Sequence, residues 1–448
     1  VKRACSLTEK TKQFLAIFSP IFVSQISLMA TGFFDTVMSG QASHYDLAGV
    51  AIGANLWLPV YTGLGGILAG ITPIVAQLNG ASRKGDMAFL VVQGAYLALF
   101  LALVVIIGGW FLLTPILNIM QLEAAVHDIA RGFLAALSIG VVPLFVSVVL
   151  RNFLDALGYT RITMLVTLCV LPVNIVLNYM LILGNLGCPR LGGVGAGYAS
   201  AITYWCLAAV SLGVICFKEP FKSYHIFRKF FRVSLAAWRE LLAVGLPIGL
   251  SIFCEVSIFG IVAMLMSEYG TATIAAHQAA INFAGLIYMV PLSIGMTLTI
   301  IIGFEVGAGR YDDARKYSYL GIGIAVAFAV GVTVGLLIFN NKIAGLYTGE
   351  PEVFEQIKSF LVYAIFFQFS DAIAAPVQGT LRGYKDVKVT FLMAIVSYWV
   401  IGMPTGYLLA KYTYLQPYGY WVGFIVGLAV GATALAVRLA RLQQKYKM

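Results

Sequence analysis

Charge is scarce in this chain. Of 448 residues only 11% are charged, 60% are hydrophobic, and the mean hydropathy is +0.91. An ordinary soluble domain is about a quarter charged and under half apolar. The 29 Lys and Arg and 19 Asp and Glu cannot clothe a fold of this size in a polar coat. That excludes a cytosolic enzyme, a DNA-binding protein and a disordered scaffold, and leaves a polytopic membrane protein. Histidine is rarer still. His44, His127, His225 and His277 form no zinc-protease pattern. There is no phosphate-binding loop, so ATP does not power the chain, and no nucleophile–base pair marks an enzyme. The six cysteines (Cys5, Cys169, Cys188, Cys206, Cys216 and Cys254) include no CxxC pair and lie mostly in apolar stretches. They read as small hydrophobes, not as a disulfide framework or metal site. The net charge of +10 would suggest nucleic acid in a soluble protein. Here it marks membrane topology.

What the chain has in abundance is apolar runs of spanning length, roughly 20 residues each. Twelve are expected, giving an all-α polytopic membrane protein. The first six lie at 14–38, 47–77, 88–113, 129–150, 162–184 and 194–217, and the second six at 241–267, 273–304, 317–340, 355–380, 389–410 and 418–438. The first run is too long for a signal-peptide core and lacks a small-residue cleavage pattern. Many spans contain a helix breaker, among them Pro20, Pro59, Pro73, Pro143, Pro172, Pro247, Pro291, Pro376 and Pro404. Membrane bundles tolerate these when neighbours re-satisfy the freed backbone. With the N-terminus placed in the cytoplasm, 24 of the 29 basic residues fall on the cytoplasmic side, as the positive-inside rule requires. An error of one helix would scramble that alternation.

The chain also repeats itself. At a shift of 227 residues Pro20 meets Pro247, Ala48 meets Ala275, Asn55 meets Asn282, and Tyr61 meets Tyr288. The loop Gly80-Ala81-Ser82-Arg83 meets Gly307-Ala308-Gly309-Arg310, and Asp86 meets Asp313. Six helices per half is an even number, so both halves enter the membrane in the same sense, related by a pseudo-two-fold axis along the membrane normal. The expected organisation is an N-terminal six-helix lobe (1–217), a cytoplasmic basic linker (218–239) and a C-terminal six-helix lobe (240–448). The linker carries Phe221, Phe227, Phe230 and Phe231 among its charges, which suggests a half-buried interfacial helix.

Three acids lie well inside spans: Asp35, Glu255 and Asp371. A mid-membrane carboxylate costs roughly 2.5–3.5 kcal/mol, so each is expected to face an interior cavity and to couple a proton or cation. A protonated acid tying helices together is the structural alternative. Glu305, at the end of its span and five residues before Arg310, is expected to be interfacial. Asn174 and Asn178 share one face of the fifth span, and Ser200 and Thr203 of the sixth add hydroxyls near Asp35. These amides suit a cation, a carboxylate or simple interhelical hydrogen bonding. In the second half Gln368 precedes Asp371 by three residues, Ser251 precedes Glu255 by four, and Gln278 and Asn282 repeat at four. His277 begins that face and is expected to pack or cap. Met29 and Met38 bracket Asp35 and are the expected walls of a substrate cavity, with Ser200, Gln278, Asn282 and Gln368. Asp35 aligns with Val262, and Glu255 with Leu28, so the lobes share a fold but not their acids.

These residues carry a likeness. FFDTVMSG around Asp35, LPVNIVLNY around Asn174 and Asn178, GGVGAGYASAITYW around Ser200, GLPIGLSIFCEV around Glu255, AAHQAAINF around His277 and FSDAIAAPVQGTLRGYKD around Asp371 occur in order. Over essentially its whole length the chain resembles the MATE (multidrug and toxic compound extrusion) transporters of the NorM type. The resemblance implies two six-helix lobes and drug/cation antiport. It implies a first-lobe cavity lined by Asp35, Asn174 and Asn178, and a second-lobe cation site formed by Glu255 and Asp371, with Na⁺ as one candidate ion. Some relatives place a Tyr one turn before the Asp of the tenth helix, where this chain has Phe367, and that removes a hydroxyl from the proposed site.

The function expected is therefore efflux of small lipophilic, mostly cationic compounds in exchange for Na⁺ or H⁺. The expected setting is the plasma (inner) membrane with both termini cytoplasmic. A functional monomer in contact with lipid is expected, with no cofactor beyond the coupling ion and no nucleic-acid partner. Two rivals remain open at this level. A flippase of lipid-linked precursors would carry cationic residues in its cavity, whereas the mid-membrane charges read as all acidic. An ion channel would need a continuous pore.

Overall fold

A computed structural model describes residues 4–227 and 231–446. Among the basic residues of the topology count, Lys2, Arg3, Arg228, Lys229 and Lys447 lie outside the described residues, as does Phe230 of the linker. The described residues form helices and no strand. In hydrocarbon a backbone must satisfy its own hydrogen bonds, and long apolar runs do so as helices. Eleven helices are long and apolar enough to span a membrane, and a bent pair raises the number to twelve. They are α1 (Leu7–Ala42), α2 (His44–Gly80), α3 (Lys84–Ile119), α4 (Ala124–Ser138 and Val141–Ala156), α5 (Thr160–Leu181), α6 (Gly193–Phe217), α7 (Leu235–Tyr269), α8 (Thr271–Gly307), α9 (Tyr311–Tyr347), α10 (Pro351–Gly383), α11 (Val387–Tyr412) and α12 (Tyr418–Lys445).

The prolines explain the irregularities. Pro73 and Pro143 each stand in the first turn of a new segment, after breaks at Gly70 and Gly140. A first-turn N–H has no intrahelical partner, so its absence there costs little. The two halves of α4 bend by 52° at that break. Pro404 likewise follows a π-helical stretch, Ile395–Gly402, in α11.

The chain packs as two compact units. One is Ser19–Gly249; the other joins the chain up to Phe18 with Leu250 and beyond. The division falls inside α1 and α7, within two residues of Pro20 and Pro247, so each of these helices begins in one unit and ends in the other. The opening turns of α1 are fixed by charge. Lys10 is buried; its ammonium donates to Ala4 O and Asp313 Oδ1, both at 2.8 Å, and lies 4.8 Å from the centre of the Tyr317 ring. Asp313→Asn leaves that ammonium without its counter-charge and is expected to destabilise the fold by about 3–5 kcal/mol, read as a lowered thermal midpoint of the purified protein.

The opening of α7 is held differently. Gln93 of α3 donates to Arg232 O at 2.8 Å and accepts from Ser234 N at 2.9 Å, and Tyr96 OH donates to Phe231 O at 3.1 Å. This captured segment replaces the expected interfacial helix. Among the described residues of the linker only a 3₁₀ turn, Phe221–Tyr224, precedes α7. Its aromatics are plugs: Phe221 is buried with its ring 4.9 Å from Tyr159, and Tyr224 sits 5.8 Å from Phe153. Side chains of the first unit satisfy the linker backbone, so it gains nothing by coiling.

Glu305 is likewise not interfacial. It is fully buried and accepts from Arg310 Nε at 2.5 Å, tying the end of α8 to the turn before α9. Small residues let α8 and α10 cross closely. A Cβ on Gly379 would stand 2.1 Å from Gly295 O, and Thr299 Oγ1 bonds Gly379 O at 2.9 Å. Close approach of this kind replaces the hydrophobic driving force that lipid does not supply. Gly379→Ala is expected to separate the helices and lower the yield of folded protein on size exclusion, whereas Ala at Gly323, which faces open space, leaves it unchanged.

Candidate functional site

Asp35 sits on the later turns of α1, beyond Pro20. A clamp at one end of the unit brings α6 to it: Gly193 N donates to Asp46 Oδ1 at 2.6 Å, and Arg190 donates to Ala42 O at 2.6 Å. Around the carboxylate the expected residues converge. Asn178 Nδ2 donates to Oδ1 at 2.7 Å and Asn174 Nδ2 to the same oxygen at 3.3 Å, while Ser200 Oγ donates to Oδ2 at 2.8 Å. Asn178 also donates to Asn174 Oδ1 at 3.1 Å, and Thr203 is 3.5 Å from Asn174 Nδ2. Asn174, Asn178, Ser200 and Thr203 are buried. The one-turn spacing read from α5 does what it suggests, aiming two amides at one point.

The donor set is neutral. Two amides and a hydroxyl hold the acid, and no ion pair of the described residues includes Asp35. The carboxyl therefore has no counter-charge of the protein's own among the described ion pairs. Tyr204 lies within electrostatic reach of Asp35, and Tyr61 of Tyr204. Trp57 stacks near Tyr61 at 6.2 Å and near Phe145 at 6.5 Å, giving the aromatic surface that suits an organic cation. Of the two expected methionine walls, Met38 is buried in a core cluster with Val50, Phe133, Leu137, Ile182 and Ala196, and Met29 is half-buried.

The second unit brings together Glu255 of α7 and Asp371 of α10, which interact electrostatically. Tyr288 of α8 and Tyr398 of α11 hydrogen-bond to Glu255. Neither tyrosine was expected as a site residue. The repeat carried a signal for one of them, since Tyr288 aligns with Tyr61, which lies near Tyr204 and through it near the Asp35 site. A larger surprise is Arg382. It is one of the 24 basic residues that the positive-inside count assigns to the cytoplasmic side. It occupies the last turn of α10 and acts on both Glu255 and Tyr288. The charges of this unit's interior are therefore not all acidic.

The other expected residues disperse. Gln368 is buried but turns to α9, donating to Ala329 O at 3.2 Å and to Thr333 Oγ1 at 3.3 Å. Phe367 packs among Phe259, Trp421 and Phe424. His277 is buried and accepts from Trp421 Nε1 at 3.1 Å, a packing role. Gln278 and Asn282 are exposed, and Asn282 accepts from Tyr347 OH at 3.3 Å. Ser251 is buried with its hydroxyl unpartnered among the described residues.

The MatE family profile matches this chain twice, over residues 20–180 and 247–408. The chain belongs to the MatE family. The two MatE stretches begin at Pro20 and Pro247, the same prolines that register the internal repeat. Similar curated MatE-type relatives include the probable multidrug resistance protein NorM of Bacillus anthracis, 55% identical over all of this chain and 98% of that protein. The protein of the same name in Bacillus subtilis is 52% identical over 100% and 99%. Among solved structures, the eukaryotic MATE transporter AtDTX14 superposes with a TM-score of 0.85 at 21% identity, covering 98% of this chain and 99% of that one. An outward-facing multidrug resistance MATE transporter of the MOP superfamily gives 0.88 at 19% identity, covering 98% and 97%. These structures establish the MATE fold of a multi-pass membrane protein. The curated relatives are named as multidrug resistance proteins and the solved structures as transporters.

Proposed function

We propose that this MatE-family protein exports lipophilic, mostly cationic compounds in exchange for H⁺ or Na⁺ by alternating access. The observation that carries the reading is Asp35: a carboxylate held by Asn174, Asn178 and Ser200 with no opposing charge among the described residues. The names of its relatives support multidrug efflux. As an anion the group attracts an organic cation; protonated, it holds that cation less well and releases it. Drug and proton therefore exclude one another on a single carboxyl. Glu255 and Asp371 form a second acid pair, served by the Tyr288 and Tyr398 hydroxyls, and are the proposed binding place for the coupling ion, Na⁺ included. Arg382 beside Glu255 is the one feature that speaks for an anionic cargo and thus for a flippase. Its partner carboxylate already engages it, which favours the efflux reading.

The protein is proposed to work as a monomer in the plasma membrane with both termini in the cytoplasm, on the strength of the basic loops. It needs no cofactor and takes no nucleic acid. Reconstitution in liposomes with proton and sodium gradients imposed separately tests the whole reading. Dye efflux driven by one of the two gradients is expected. Flux that ignores both, or single-channel currents, would sink it.

A further inference from the structure

Asp155 and Arg151, in the last turns of α4, are buried and take no part in the Asp35 site. Asp155 Oδ1 and Arg151 Nε have no hydrogen-bond partner among the described residues, nor have the buried hydroxyls of Thr160 and Ser211, while the Thr163 hydroxyl stands within reach of the Asp155 carboxyl. Arg151 and Thr163 are the groups that face the Asp155 carboxyl. Buried polar atoms are nearly always satisfied, by protein or by ordered water, so this cluster is built to hold water.

From it a buried polar line leads to Asp35. On α5, Thr160, Thr163, Thr167, Asn174 and Asn178 share one buried face, broken at Val170. There α1 supplies what α5 lacks. Ser27 Oγ reaches Thr167 O at 3.5 Å, and Thr31 Oγ1 donates to Ser27 O at 3.2 Å, one turn before Asp35. Thr167 Oγ1 in turn donates to Thr163 O at 2.8 Å. On α6, antiparallel to α5, Ser211 falls at the level of Val166 and Thr167 when counted from the contact of Asn174 with Thr203. Thr160 to Asn174 is about 21 Å along the helix, too far for direct transfer and within reach of a file of hydroxyls and waters.

We propose that this file carries protons between Asp35 and the face that the basic loops assign to the cytoplasm, with Asp155 as its terminal acceptor. It rests on the efflux reading and extends it. When an organic cation binds, the O–H bond of Asp35 breaks. The proton passes along hydrogen-bonded hydroxyls and waters, and an O–H bond forms on Asp155. Asp35 is left as the carboxylate that the cation needs, and Asp155 passes its proton to bulk water. Arg151 stabilises the carboxylate that remains, and no electron moves. Water chains and intramembrane acids of this kind serve as proton relays.

The test is stopped-flow proton release, followed with a pH indicator, on mixing the purified protein in nanodiscs with ethidium. Asp155→Asn removes the acceptor. Thr163→Val, of nearly equal shape, breaks the file without touching a charge. Both are expected to slow release at least about tenfold while leaving the ethidium dissociation constant unchanged; Thr163→Val is expected to keep the thermal midpoint, whereas Asp155→Asn, which leaves the buried Arg151 guanidinium without its counter-charge, lowers it. Wild-type release with undiminished rates in both variants overturns the file alone. Slowed release that merely follows a lowered thermal midpoint in both variants also overturns it. Wild-type protein that binds ethidium and releases no proton overturns the proton arm of the efflux reading, and the file with it.

Discussion

Asp35→Asn is expected to insert and fold yet to lose drug efflux. The substitution keeps the shape of the side chain and removes its charge. Ser200 and one amide still have an oxygen to bond, so the α1–α5–α6 junction survives. The attraction for an organic cation does not, because no other acid stands beside it in the first unit's donor set. Losing a buried charge–charge contact is worth about 2–4 kcal/mol. Affinity for a cationic dye should therefore fall by roughly 30- to 1000-fold, at about tenfold per 1.4 kcal/mol. Equilibrium binding to the purified variant measures this, with dye efflux from vesicles as the functional readout. A variant that binds and exports dye normally would remove Asp35 from the mechanism.

The second unit should answer differently to the same kind of change. Glu255→Gln is expected to abolish ion-driven efflux and also to lower stability. It leaves the Arg382 guanidinium beside Tyr288 with Asp371 as the remaining acid of the cluster. Because both side chains are partly accessible, the penalty is expected to be on the order of 2 kcal/mol, below that of a fully buried broken pair. Removing both members separates the two effects. Glu255→Gln with Arg382→Met should restore the thermal midpoint, since an apolar replacement of a buried pair is often neutral. It should not restore coupling, which needs the carboxylate. If the double variant regains ion-driven efflux, Glu255 serves architecture and not coupling. Asp371→Asn should reduce coupling with a smaller effect on stability, because Arg382 keeps Glu255 as its counter-charge.

The Asp35 site was largely legible in advance, for two local reasons. A carboxylate in a spanning helix is costly enough to announce itself, and amides four apart on α5 must share a face. The second site was half legible. Glu255 and Asp371 declared themselves by the same cost, but Tyr288 and Tyr398 are apolar-compatible residues in a chain that holds 23 tyrosines. Nothing in their neighbours along the chain singles them out. Arg382 escaped notice as a partner of Glu255 because its neighbours in sequence are those of a loop, while it occupies the last turn of α10. Gln368 misled in the opposite sense: its spacing from Asp371 was right, and its amide found a carbonyl on α9 instead. The linker failed for a related reason. Its mixture of Phe and basic residues fits a surface helix, but Gln93 and Tyr96 bind its backbone at Arg232 and Phe231.

By itself the sequence marked twelve runs of spanning length, a repeat registered at Pro20 and Pro247, and three carboxyls inside those runs. These follow from run length, loop charge and the price of charge in hydrocarbon, all of which act residue by residue. Tertiary structure alone decided which side chains meet those carboxyls. It also decided that α1 and α7 change unit near Pro20 and Pro247, and that the Asp155 cluster lies at the foot of a polar line to Asp35. A helix fixes the face on which a side chain lies. What that face meets depends on the packing of helices far apart in the chain, which no local pattern records.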